Sequence, residues 1–149
     1  MKLNKYSFLL IGFLINLNSF AQMSIGGTPK GFSPKINQQI PIVNMPVFDP
    51  SSMLLEDEIL NVKGNGPYRF GKNFDVNFNL SNAGSWYTYP NGDRLWQLEI
   101  SSTNAYSINL QFSYYKLPPD AELYIYNVQK TMVIGAFTHL NNQEDGLFA

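Results

Sequence analysis

Tyr106-Ser107-Ile108-Asn109-Leu110-Gln111-Phe112-Ser113-Tyr114 is the stretch that decides the fold class. Apolar and polar side chains alternate through it without a break, so an extended backbone would put every apolar group on one face. A helix would scatter them around its axis. The same period of two runs through residues 75–81, where Val76, Phe78 and Leu80 alternate with Asn77, Asn79 and Ser81. It returns at residues 96–101, where Trp96, Leu98 and Ile100 alternate with Gln97, Glu99 and Ser101. Residues 123–128 and 133–138 are apolar on both faces, which predicts central or covered strands.

Turn-forming residues separate these runs. Asn91-Gly92 lies between the run at 86–89 and the run at 94–101, and it suits the two positive φ angles of a type I′ hairpin. Pro118-Pro119-Asp120 breaks the chain after the longest alternating segment. Short strands at this spacing, with no long amphipathic helix, predict an all-β chain. The expected architecture is an antiparallel β-sandwich of the jelly-roll or galactose-binding type, over residues 67–149.

Residues 22–66 read differently, as an extended leader. Gly26-Gly27 and then Pro29, Pro34, Pro41, Pro46 and Pro50 exclude a long regular helix or a central strand there. Ile40, Ile42, Val43, Met45, Val47 and Phe48 still give the leader apolar teeth, so it is either a disordered tail or a strap across a partner surface. Asp49-Pro50-Ser51 has the form of a helix start, with Asp49 as N-cap and Pro50 in the first helical position. Two helical turns are expected over residues 53–60, closed by Gly64 and Gly66.

Residues 1–21 have the parts of a secretory signal peptide. Lys2 and Lys5 are followed by an apolar stretch at 6–17, and Ser19-Phe20-Ala21 puts small residues at the −3 and −1 positions of a cleavage site. The apolar stretch is well short of the roughly 20 residues that span a bilayer, so no stable membrane anchor is expected after cleavage. Of the 10 basic residues, loss of Lys2 and Lys5 leaves 8 against 11 acidic ones, a formal charge of −3. That balance argues against nucleic acid as a partner. With no cysteine, the chain has no disulfide, thiolate metal site or cysteine nucleophile.

Candidate sites each have a plainer structural explanation. His139, the one histidine, is the only base available to a serine triad, yet no Gly-x-Ser-x-Gly or Gly-Asp-Ser-Gly context supplies a nucleophile. It reads first as a loop histidine opening Asn141-Asn142-Gln143-Glu144-Asp145-Gly146. That loop has oxygen ligands but lacks the acid spacing of a calcium loop. Glu56, Asp57 and Glu58 suggest a cation site but fit a solvated helix face better. Trp86, Tyr87, Tyr89 and Trp96 are an aromatic platform for a sugar or, more simply, core rings and cross-strand pairs. Asp93 and Arg94 read as turn or surface residues. Asn79-Leu80-Ser81 matches the N-glycosylation pattern, although Asn79 falls in an expected strand. No catalytic, cofactor-binding or metal residue is assigned.

Four segments carry a resemblance: GGTPKGFS (26–33), PYRFGKNFDVNFNLSNAGSW (67–86), NGDRLWQLEISSTNAYSINLQFSYYKLPPDAELYIYN (91–127) and MVIGAFTHLNNQEDGLFA (132–149). They resemble the N-terminal, non-catalytic region of Bacteroidetes-type secreted trypsin-like serine endopeptidases of the lysyl-endopeptidase type. The strongest part runs from Trp96-x-Leu98-x-Ile100 to Leu117-Pro118-x-x-Ala121-x-Leu123-x-Ile125-Tyr126. The resemblance implies a precursor made of signal peptide, this pro-region, a serine protease catalytic domain in cis and often a C-terminal sorting domain. The family's triad lies downstream of the matching region, so no catalytic residue carries over. The family usually has Pro-Gly-Ala where this chain has Thr103-Asn104-Ala105, and Gly-Ala where it has Asp120-Ala121. In the family, the Gly-x-Phe-Ala matched by residues 146–149 leads into further strands, so the expectation is a fragment whose sandwich is incomplete at its C-terminus.

Three functions follow as expectations. The first is a pro-region or accessory module that restrains a serine endopeptidase or assists its folding, with leader residues 29–48 and a sandwich edge covering the enzyme. The second is a stand-alone secreted module binding glycans or a cell surface through outward aromatics such as Tyr87 and Tyr89. The third is an enzyme in its own right, using His139.

Overall fold

The structure is a computed structural model and describes residues 24–33, 39–63 and 69–149. The signal-peptide expectation at residues 1–21 lies outside the described residues, as do Pro34, Gly64 and Gly66. The described chain is strand-rich with one helix, and it divides into two units. One joins the described residues up to Gly27 to Gln111–Ala149, and the other is Thr28–Leu110.

In the unit Thr28–Leu110, strand β1 (Ile42–Asn44) comes from the middle of the leader. Helix α1 follows at Ser51–Lys63, then β2 (Ser85–Thr88), β3 (Arg94–Gln97) and β4 (Glu99–Ser101). β2 and β3 form an antiparallel hairpin with Trp86 opposite Trp96. β1 lies parallel to β4, with Val43 opposite Ile100. Glu99 N–H donates to the Pro41 carbonyl and Met45 N–H to the Ser101 carbonyl, extending that pairing at both ends.

This pairing corrects two expectations. Among the described residues of the leader, Ile42–Asn44 pair with their own chain rather than lying in a disordered tail, and the expected helix follows them. The sheets are also not purely antiparallel. Pro41 and Pro46 lack the N–H that a central strand needs, but they flank β1 and leave its three residues free to pair.

α1 is longer than the two turns expected. Asp49 Oδ1 accepts from the Ser51 N–H at 3.0 Å and from the Ser51 hydroxyl at 2.6 Å, and Leu54 N–H donates to the Pro50 carbonyl. The cap works as expected. The run 96–101, expected to be one strand, is broken at Leu98, so that β3 pairs with β2 while β4 pairs with β1.

The β2–β3 connection is not a type I′ turn. Gly92 N–H donates to the Tyr89 carbonyl and Tyr89 N–H to the Asp93 carbonyl, so Pro90-Asn91-Gly92 is a three-residue loop. A type I′ turn needs positive φ at both central residues. Here Pro90 is central, and its ring holds φ negative. Only Gly92 takes the left-handed conformation, at φ +89°, as a type I turn closed by a G1-type residue requires.

In the other unit, β5 (Leu123–Tyr126) and β6 (Val133–Phe137) form an antiparallel hairpin with an irregularity between Leu123 and Ile125. Among the described residues these strands are not flanked by further strands as expected, since their sheet has two members there. Residues 24–26 supply a partial third neighbour. Ile25 N–H donates to the Ala136 carbonyl, Ala136 N–H donates to the Gly26 carbonyl, and the Ser24 hydroxyl donates to the Gly135 carbonyl at 2.6 Å.

The core of this unit is aromatic. Tyr115 and Phe148, each 4% exposed, stack with ring centres 4.3 Å apart, and Phe137 meets Phe148 edge-on at 5.0 Å. Phe112, Leu117, Leu123 and Ile125 pack around them. Phe112 and Phe148 exchange both backbone hydrogen bonds, an isolated antiparallel bridge.

That bridge is all the strand pairing in residues 106–114. The segment expected to be the clearest strand is otherwise without ladder partners, and residues 75–81 likewise form no strand. Alternation specifies which face a strand would bury, but a strand also needs a neighbouring backbone to bond. Tyr106 is fully exposed, and Ile108, Tyr114, Val76 and Leu80 are exposed as well.

Candidate functional site

The polar and aromatic groups most closely gathered in the unit Thr28–Leu110 surround the β2–β3 hairpin. Strand alternation turns Tyr87 and Tyr89 to one side, where their rings meet edge to face at 4.9 Å. Trp86 faces the other way and is exposed. The Arg94 guanidinium carbon lies 4.1 Å from the centre of the Trp86 ring, a cation–π contact. Indole N–H groups anchor both tryptophans to the preceding segment, with Trp86 Nε1 donating to the Leu80 carbonyl at 3.0 Å and Trp96 Nε1 to the Ala83 carbonyl at 2.8 Å.

The hairpin tip is fastened to the 3-10 turn Lys30–Phe32. Lys30 Nζ meets Asp93 Oδ2 at 2.5 Å, and the Tyr89 hydroxyl donates to the Lys30 carbonyl at 3.0 Å. Asn91 Nδ2 donates to the same Asp93 oxygen at 2.9 Å. These bonds, led by that from Lys30, hold the Asp93 carboxyl below its ordinary range, and the lysine charge adds to the effect. The sequence gives no sign of this clasp, because Lys30 and Asp93 are 63 residues apart.

The aromatic set therefore splits. Tyr87 and Tyr89 contact each other, the Trp86 face carries Arg94, and Trp96 sits half-buried opposite Trp86. The four rings do not share one surface. Asp93 and Arg94 serve the turn and the strand surface.

His139 is exposed and begins the 3-10 turn His139–Asn141. Thr138 caps that turn: its hydroxyl accepts from Leu140 N–H, and its own N–H donates to Asn141 Oδ1 at 2.9 Å. Asn142 completes the arrangement, its side-chain amide accepting from Leu117 N–H and donating to the Leu117 carbonyl, both at 2.9 Å. Asn141 and Asn142, imagined as cation ligands, thus bind backbone instead. Gly146 accepts from Tyr115 N–H and ties the loop to the aromatic core.

On α1, Arg69 approaches two of the three acids, with Nη2 3.2 Å from Glu56 and Nε 3.7 Å from Asp57. Among the described residues, no three His, Asp or Glu side chains gather into a metal-holding group. Among the same residues, no helix is long and apolar enough to cross a membrane.

Burial pushes the Tyr115 phenol above its ordinary pKa, and its hydroxyl contacts the Thr138 carbonyl at 3.3 Å. No protein-family model matches this chain, and no solved structure matches it.

Proposed function

We propose that the chain is the non-catalytic N-terminal pro-region or accessory module of a secreted serine endopeptidase precursor, exported through residues 1–21. The observation that carries this reading concerns two turns. Asn104 and Asp120 have φ of +64° and +69°, the left-handed conformation that glycine adopts without penalty. These are the two positions where the resembled family usually has glycine. Asn and Asp are the side chains that best tolerate that conformation, so each departure from the family pattern keeps the backbone the pattern implies.

The mode of action follows from what is left unpaired. Residues 75–81 and 106–114 have the alternation of half-buried strands, yet Val76, Leu80, Tyr106, Ile108 and Tyr114 are exposed. In the proposed precursor these segments pair and close an antiparallel β-sandwich, and the module acts by steric, non-covalent contact with the catalytic domain.

Co-expression with a lysyl-endopeptidase-type catalytic domain tests the proposal. The expected result is a higher yield of soluble protease, with slower amide exchange at residues 106–114 in the complex than in the free chain. Unchanged yield, unchanged protease activity and unchanged exchange together sink it.

A further inference from the structure

Residues 106–114 read nearly the same in both directions about Leu110. Asn109 and Gln111 flank the centre with one amide each, and Ile108 and Phe112 follow with large apolar groups. Ser107 and Ser113 come next, and Tyr106 and Tyr114 last. No charged residue lies between Glu99 and Lys116. The segment is therefore complementary to a second copy of itself laid antiparallel, where each side chain meets its own kind and no like charges face each other.

The backbone leaves an edge for that copy. In an extended chain the N–H and C=O of one residue point to one edge, and those of its two neighbours to the other. Phe112 exchanges both of its backbone bonds with Phe148, so the edge of the even-numbered residues faces that way. The opposite edge belongs to Ser107, Asn109 and Gln111, whose backbone groups have no hydrogen-bond partner among the described residues. Residues 107–112 run without a turn or bend, and no residue between Asn104 and Asp120 has a positive φ. Ser107, Ile108, Asn109 and Gln111 are exposed. The edge also lacks the charges and prolines that keep such edges from pairing.

We propose that this edge is a homodimer contact, in which residues 108–112 of two copies pair antiparallel about a two-fold axis at Leu110. Asn109 of each copy exchanges both backbone bonds with Gln111 of the other, as the symmetry of an isologous contact requires. Leu110 meets its own counterpart in a non-hydrogen-bonded pair, where side chains come closest. Ile108 meets Phe112, and the apolar groups of both copies fall on one face. Tyr106, Ser113 and Tyr114 lie at bends and stay outside this ladder. The strand pairing proposed for the precursor continues from the Phe148 edge. The two proposals thus use different edges and fail independently.

Sedimentation equilibrium of the full chain over a concentration series tests the pairing, with near-ultraviolet circular dichroism to check that each variant is folded. The expected mass doubles from monomer to dimer. Leu110→Lys and Leu110→Asp should each be monomeric, because the axis sets like charges against each other, and an equimolar mixture of the two should regain the doubled mass. The chain has no cysteine, so Leu110→Cys gives an independent readout should the charged variants not fold. It should form a disulfide-linked dimer under mild oxidation, whereas Asn109→Cys, which faces position 111, should not. Amide exchange in the dimer should slow at Asn109 and Gln111 but not at Ile108 and Leu110. A chain that stays monomeric overturns the proposal, as does a dimer untouched by either charged variant or one linked equally well through position 109. Exchange at Asn109 and Gln111 that slows only when a protease catalytic domain is added assigns the edge to that domain and also overturns it.

Discussion

Arg94 lies over the outer face of Trp86, its guanidinium carbon 4.1 Å from the ring centre, although the two residues sit on different strands and are not direct cross-strand partners. The contact is made at an exposed tryptophan of the hairpin. Arg94→Ala should free that face and cost about 0.5–1 kcal/mol, the range of an exposed cation–π pair. Trp86 emission should shift and become more accessible to a neutral quencher. Unchanged quenching would mean that Arg94 does not cover the ring in solution.

The Lys30–Asp93 clasp makes a pH-dependent contribution of definite sign. Hydrogen bonds from Lys30 and Asn91, together with the lysine charge, lower the Asp93 pKa below the ordinary 3.8. The stabilisation is therefore present above the unfolded-state value and is lost as pH falls through the lower native one. Asp93→Asn should be less stable than the wild type near neutral pH, and the two should converge in acid. Carboxyl NMR titration checks the cause directly, since Lys30→Ala should move the Asp93 midpoint upward. Both groups are exposed, so added salt should weaken the effect.

The sequence and the structure agree where a signal is local. The Asp49 cap, the proline start of α1 and the two hairpin strands at 123–126 and 133–137 all follow from neighbouring residues. Alternation at 106–114 and 75–81 does not carry through, because the pattern encodes a face and says nothing of a partner backbone. The β1–β4 pairing and the Lys30 clasp join residues more than fifty positions apart, and no local pattern registers them. Pro90 did hold the information that excluded a type I′ turn, but Asn91-Gly92 is the louder signal. At the candidate site, alternation correctly separated Trp86 from Tyr87, whereas the covering of Trp86 by Arg94 depends on side-chain reach.

Phe148 and Tyr106 test which aromatic residues hold the free chain together. Phe148 stacks on Tyr115 and is 4% exposed, so Phe148→Ala should cost on the order of 3 kcal/mol or more, the range of large-to-small core substitutions. Tyr106 has no such packing, and Tyr106→Ala should stay within about 0.5 kcal/mol. Urea denaturation followed by near-ultraviolet circular dichroism measures both. A large loss at Tyr106 would show that residues 106–114 are packed as a strand in the isolated chain.

Close approach fixes Gly84 in the other unit. It has φ of +73°, and a Cβ there would lie 2.6 Å from both the Gln97 carbonyl and the Trp96 indole. Gly84→Ala should therefore cost more than the 1–2 kcal/mol or so of left-handed strain alone, since backbone and ring must both move. Thermal melts monitored by tryptophan fluorescence should show the loss together with an altered Trp96 signal. An unchanged melt would mean that the segment before β2 does not approach β3 this closely.

Left-handed residues allow the opposite test, gain of stability by substitution. Lys130, in the β5–β6 connection, has φ of +58°, where its Cβ is strained, and Asn104 and Asp120 share the conformation with better-suited side chains. Glycine relieves the strain but gives the unfolded chain more freedom, a counter-effect of about 0.4–1 kcal/mol. Lys130→Gly should thus stabilise by a few tenths of a kcal/mol to about 1, and Asn104→Gly and Asp120→Gly by less. The ordering distinguishes the backbone explanation from one based on side-chain bonds, which would make all three substitutions destabilising. Equilibrium urea midpoints for the three variants decide between them, and a gain at positions 104 and 120 would also fit the glycines of the resembled protease pro-regions.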